Sequence, residues 1–219
     1  MNEKHYLCTI RSRTMLEDII SEGETFVDEP EPVWIVAEAP SRDIAEQLAD
    51  LHTLKGAGFI SMLKEITLHK AFTPLEGDSN IYIIDGMQGD DYDNLLKAAR
   101  KAVEHGYRVF ILPNPKGIRT ADYIFERKGV YKMFDLKTVS GKNSIGNRLS
   151  ESIGQTNRVL LNLPQYNTRK LVHDIKKYFM TYSDAIEIII FKGKNEISIS
   201  RRFALNPRFY FEFKKVFEK

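Results

Sequence analysis

Cysteine and tryptophan are almost missing from this chain: its 219 residues hold one of each, Cys8 and Trp34. A lone cysteine excludes an internal disulfide and fits a reducing compartment. Histidine is sparse as well. The five positions, His5, His52, His69, His105 and His173, include no close pair of the kind that zinc sites use. No stretch approaches the ~18 consecutive apolar residues of a membrane span, and MNEKHYLCTIRSR lacks the apolar centre of a signal peptide. The expectation is a cytoplasmic protein with no membrane partner. Charge of one sign is also lacking. A net charge of +2 with 28% charged residues is not the strongly basic balance of a bulk nucleic-acid binder, so any polyanion site must be local. The Walker spacing GxxxxGK[ST] is absent, and no internal repeat is found.

What remains is uneven. Residues 1 to 110 are acid-rich (EGETFVDEPEPVW, GDDYDN), whereas lysine and arginine are frequent from Lys116 onward. Val33 to Ala37 reads as a strand with Trp34 in the core, and Ser41 caps a helix whose Ile44, Leu48 and Leu51 repeat at helical spacing before Gly56. Residues 59 to 72 fit helix or strand, and Ile81 to Asp85 reads as a strand. From Asp93 the pattern sharpens into a helix ending at Gly106, strands at 107 to 113, 121 to 125 and 130 to 139, and a helix from Ser144 to Asn157. A strand at 158 to 163, a helix from Thr168 and a final hairpin around Lys192-Gly193-Lys194 complete it. The order αβββαβαββ from 93 to 201 predicts an α+β fold, with a mixed or mainly antiparallel central sheet flanked by helices and an N-terminal α/β accessory region. The expected division is an accessory region over 1–90, a main domain over 91–203 and an aromatic, basic tail over 204–219.

One segment carries polar residues that suit chemistry. Asp122 lies near the start of TADYIF, and Asp135 lies in FDLKTVSGKNSIGNRLSESIGQTNRVLLNL. On a strand, side chains two apart share a face, so Asp135 and Lys137 point together while Phe134, Leu136 and Thr138 point the other way. A carboxylate there can hold a metal ion or take a proton, and the ammonium beside it can orient water or balance an oxyanion. The pair reads equally as an ion pair on a solvated strand. The helix that follows would place Ser144, Arg148, Glu151 and Gln155 in one stripe, facing a cleft. The turn Ser140-Gly141-Lys142-Asn143-Ser144 puts Lys142 and Asn143 at a helix N-terminus, where an anion is favoured; a plain capped loop is the other reading. Arg201 and Arg202 could contact phosphate or be surface charge, and the tail aromatics Phe203, Phe209, Tyr210, Phe211, Phe213 and Phe217 could stack bases or pack on the fold.

With its helix ending in HGYRVFILP, then TADYIF, the FDLKTVSGKNSIGNRLSESIGQTNRVLLNL stretch and the hairpin IEIIIFKGKNEISISR, the segment from about 93 to 202 resembles the C-terminal tRNA-nuclease domains of the CdiA contact-dependent inhibition toxins and their mobile-element relatives. These are grouped with barnase, EndoU, colicin and RelE nucleases. The resemblance implies RNA cleavage without a metal, an immunity or inhibitor protein as a possible partner, and site positions Asp122, Asp135, Lys137, Ser144, Arg148 and Gln155, with Lys142, Asn143, Arg201 and Arg202 as candidate nucleic-acid contacts.

The same residues are similar to the PD-(D/E)xK nucleases, with Ala121 where that family has proline. This second resemblance implies magnesium on Asp122 and Asp135, an attacking water positioned by Lys137, and Gln155 beside them. The expectation is therefore a nuclease acting on tRNA or other RNA with no cofactor favoured, a magnesium-dependent DNA nuclease as the alternative, and a non-catalytic nucleic-acid-binding or structural module as the rival from another class.

Overall fold

A computed structural model of the chain describes residues 39–51, 54–86, 91–114, 120–139, 145–164 and 166–218. Two helices come first, α1 (Ala39–Leu51) and α2 (Gly56–Thr67), followed by a hairpin of β1 (Thr73–Leu75) and β2 (Asp78–Ile83). Then follow α3 (Tyr92–Glu104), β3 (Arg108–Ile111), β4 (Tyr123–Arg127), β5 (Val130–Thr138), α4 (Ile145–Glu151), β6 (Arg158–Asn162), α5 (Thr168–Thr181), β7 (Glu187–Lys192) and β8 (Asn195–Ser200). Short helices α6 (Arg201–Ala204) and α7 (Phe209–Phe217) close the chain. From α3 onward this is the αβββαβαββ order expected. The expected strand at Val33 to Ala37, with Trp34, lies outside the described residues.

The eight strands form one mixed sheet in chain order. β1/β2, β3/β4, β4/β5 and β7/β8 are antiparallel, while β2/β3, β5/β6 and β6/β7, each joined through a helix, are parallel. β2 joins the rest of the sheet through Ile81↔Val109 and Tyr82↔Phe110.

Alternation along β5 explains how helices are shared between the two faces. Phe134 and Leu136 belong to a cluster with Ala98, Ala99 and Ala102 of α3, whose small side chains let that helix lie close to the sheet. On the opposite face, Met133 packs under α1 and α2 with Ile44, Leu48, Leu63 and Ile66. Val139, farther along that face, belongs to the cluster under α4, α5, α6 and α7. The second face is thus covered by two separate layers that meet over β5. Asp135 and Lys137 fall between Met133 and Val139, at that seam.

The tail belongs to the second layer. Phe209, Phe213 and Phe217 are fully buried against α5 and the β7/β8 hairpin, while Phe211 stays 72% exposed. None of the described helices is long and apolar enough to cross a membrane.

Candidate active site

The site begins with a tight hairpin. Lys128 and Gly129 both take positive φ (55° and 78°), the two-residue turn whose twist matches that of its strands, and it fixes the register from Arg127↔Val130 to Tyr123↔Phe134. The ladder stops there, and Asp122 comes next. Its N–H donates to Phe134 O (3.0 Å) and its carbonyl accepts from Leu112 N–H (2.8 Å). Its carboxylate Oδ2 accepts the Leu136 N–H at 2.6 Å, standing in for a main-chain carbonyl. Asp122 therefore ties β3, β4 and β5 together and is held rigidly beside Asp135.

Asp135 is 2% exposed. Lys137 Nζ lies 2.7 Å from its Oδ2, and the same ammonium donates to Gln155 Oε1 at 3.2 Å. The close approach to Asp135 is a buried charge contact, which holds the ammonium between the Asp135 carboxylate and the Gln155 carboxamide. The expected alternative of an ion pair on a solvated strand does not describe this face, because α1 and α2 on one side and α4 and α5 on the other cover it.

Burial and the neighbouring Asp122 charge push the Asp135 carboxyl up to about 7, against the downward pull of the Lys137 ammonium. Burial also raises Asp122, opposed by the Leu136 N–H and by a hydrogen bond with Asp135. The two carboxyls behave as a pair that retains a proton near neutrality. Asp91, just ahead of α3, adds a further negative charge at Asp122.

The other expected site residues lie elsewhere. The helix expected to run to Asn157 ends at Glu151. Ser152 turns its hydroxyl back onto Leu149 O (2.7 Å), and Gly154 adopts φ +83°, so Gln155 reaches Lys137 from a turn and not from a helical stripe. Arg148 sits on the exposed side of α4, paired with Glu151 at 2.8 Å. A Cβ at Gly146 would stand 3.7 Å from the Asp174 carboxylate of α5, an ordinary contact, so packing there does not require glycine. Arg201 donates to the carbonyls of Tyr182 (2.8 Å) and Ser183 (3.5 Å), capping the end of α5. Arg202 is exposed. Lys142, Asn143 and Ser144 lie outside the described residues.

Tyr178 and Ser152 were not picked out from sequence. Their hydroxyls lie 3.2 Å apart, and the Tyr178 phenol is raised mainly by burial, with the Asp135 charge adding to it. A tyrosine in register with Leu171 and Ile175 on the buried side of α5 was the available signal, because a buried hydroxyl needs a polar partner.

No protein-family model matches the chain, and no curated protein matches it. Among solved structures, the CdiA-CT/CdiI toxin and immunity complex from Burkholderia pseudomallei contains a chain similar to this one, with a TM-score of 0.38 and 18% identity over 53% of this chain and 92% of that one.

Proposed function

We propose that the protein is a nuclease that hydrolyses nucleic-acid phosphodiester bonds with the help of a divalent cation held by Asp122 and Asp135. The observation that carries this reading is the buried Asp122, Asp135, Lys137 and Gln155 constellation, in which the Lys137 ammonium stands 2.7 Å from Asp135 Oδ2 and donates to Gln155. Two adjacent carboxyls raised chiefly by burial, with the Asp122 charge adding to the effect at Asp135, suit a hard cation, whose charge would replace the retained proton. Among the described residues no group of three or more histidine, cysteine, aspartate or glutamate side chains gathers around a metal position. Magnesium does not require one, since it commonly takes one or two carboxylates together with waters and substrate phosphates.

A bound divalent cation would supply Lewis acidity at a phosphoryl oxygen and lower the pKa of a coordinated water. Lys137, steered by Asp135 and Gln155, keeps an N–H with which to orient the attacking water or balance charge on the phosphate. Asp122 is pre-positioned by the Leu136 N–H, so it needs no rearrangement to act. A metal-free mechanism is the second reading, favoured by one observation: a carboxyl at about 7 is poised as a general base. That reading has less support for the charge of the phosphate, because Arg148 is engaged with Glu151 at the surface. RNA as substrate rests on the sequence resemblance alone.

Incubation with total tRNA and with plasmid DNA, with and without a chelator, tests both readings. The expected outcome is cleavage by the parent that is lost in chelator and falls by about 10² to 10³ in an Asp135→Ala, Lys137→Ala double variant. Equal cleavage by variant and parent would sink the site, and activity surviving the chelator would sink the metal. Binding of either nucleic acid without cleavage would favour a non-catalytic binding module.

A further inference from the structure

A cleft of about 420 Å³ opens between α2, the end of α5 and the turn after α4, lined by neighbours of the carboxylate pair and not by the pair itself. This is within the range of small-molecule sites, roughly 300 to 1,000 Å³. Three links join it to the proposed active site. Gln155 lines the cleft and accepts from Lys137. Met133, also in the lining, precedes Asp135 by two residues on the same face of β5. Tyr178 lines the cleft from α5 with its phenol in the field of Asp135.

We propose that this cleft holds the nucleobase of a nucleotide adjoining the bond that is cleaved, turned out of its stack; the inference rests on the nuclease reading and gives that site its neighbouring subsite. Flat apolar surface is supplied by Phe59 from α2 and Tyr182 from the end of α5, both half-buried. The Tyr182 ring is already set against Tyr178, with centroids 5.4 Å apart. Aromatic faces of this kind stack on any base. Edge recognition is supplied by two carboxamides. Gln155 spends its oxygen on Lys137, and Asn157 spends its oxygen on Arg158 (3.1 Å). The amide nitrogens of both make no hydrogen bond among the described residues, which leaves donors for the acceptors of a base edge. Asp184 on the rim disfavours a phosphate in the cleft itself, so the backbone belongs at the carboxylate pair and the base in the cleft.

The test reads binding apart from catalysis. The four nucleoside 5′-monophosphates are titrated into the full chain in chelator, followed by the side-chain amide resonances of Gln155 and Asn157. At least one nucleotide is expected to bind saturably and shift both amides. Affinity should fall about tenfold in Tyr182→Ala and persist in Tyr182→Phe, which keeps the ring. Asn157→Ala, which leaves the aromatic packing in place, should also weaken binding and so guards against a folding defect in Tyr182→Ala. Absence of saturable binding by all four, or equal binding by parent and both alanine variants, overturns the subsite. Ribo- and deoxyribo-oligonucleotides with a single abasic position then locate it: cleavage next to the abasic position should drop about tenfold in the parent and show no such drop in Tyr182→Ala. Failure of cleavage on every substrate counts against the nuclease reading, while the titration alone decides the base.

Discussion

Asp122 and Asp135 sit close enough to share a hydrogen bond and are both mostly buried, so holding two full negative charges there is costly. The consequence for stability has a definite sign. In the unfolded chain the Asp135 carboxyl titrates near 3.8 and in the fold near 7. Below the first value both states are protonated and nothing is lost. Between the two values the unfolded chain has released a proton that the native state still holds, so stability declines as pH rises, then levels off above about 7. The decline is on the order of 4 kcal/mol. Asp135→Asn should therefore melt higher than the parent at pH 8, with the advantage shrinking towards pH 5, while cleavage drops by about 10² or more. Thermal melts at both pH values check it, and a variant less stable at pH 8 would contradict the shared-charge account. If the cation must displace the retained proton, parent activity should fall about tenfold per unit below pH 7 at fixed magnesium, and the fall should move to lower pH as magnesium is raised.

At the scale of elements, the hairpin carrying the site and the turn behind it make opposite demands on their residues. Lys128 occupies a left-handed conformation that a side chain disfavours, and Lys128→Asn should stabilise the protein by about 0.5 to 1 kcal/mol without touching activity. Gly154, at φ +83° with nothing within 4 Å of an added Cβ, meets only backbone strain, and Gly154→Ala should cost about 1 kcal/mol. Because that turn delivers Gln155 to Lys137, the same substitution should lower kcat, which denaturant melts and steady-state kinetics together would separate from a stability effect. The order of elements is legible in the sequence where glycine punctuates it, at Gly106 and Gly193, both of which adopt positive φ. Elsewhere local chemistry decided the outcome. Gly56 was read as a helix end and instead opens α2, after Lys55 in extended conformation. The β1 strand escaped notice because Thr73 and Pro74 are exposed and show no alternation. The end of α4 depends on one hydroxyl and one glycine. Asp135, Lys137 and Gln155 were legible as neighbours, but their burial was not, since no periodicity in β5 announces that α1 and α2 cover its charged face.

For the whole molecule, the tail is a structural part of the fold. Phe213 is fully buried between α5 and α7's own neighbours Phe209 and Phe217, and Phe213→Ala should cost about 3 to 5 kcal/mol by denaturant unfolding. Phe211, exposed on the same helix, should tolerate alanine with little change. Polar residues that cross the sheet act as ties of another sort: Lys132, Arg158 and Ser198 converge on Glu187 from three strands.

β5 and the residue that follows it supply side chains to all three hydrophobic clusters, Met133 to one, Phe134 and Leu136 to another, and Val139 to the third. The charged residues between them are surrounded only when every layer has condensed. Under the proposed nuclease reading, this makes catalytic competence a late event in time. On refolding from denaturant, the return of the proposed cleavage activity should follow the slowest phase of tyrosine burial and not the fastest. Activity that recovers ahead of the α1–α2 layer would show that the site matures independently of it.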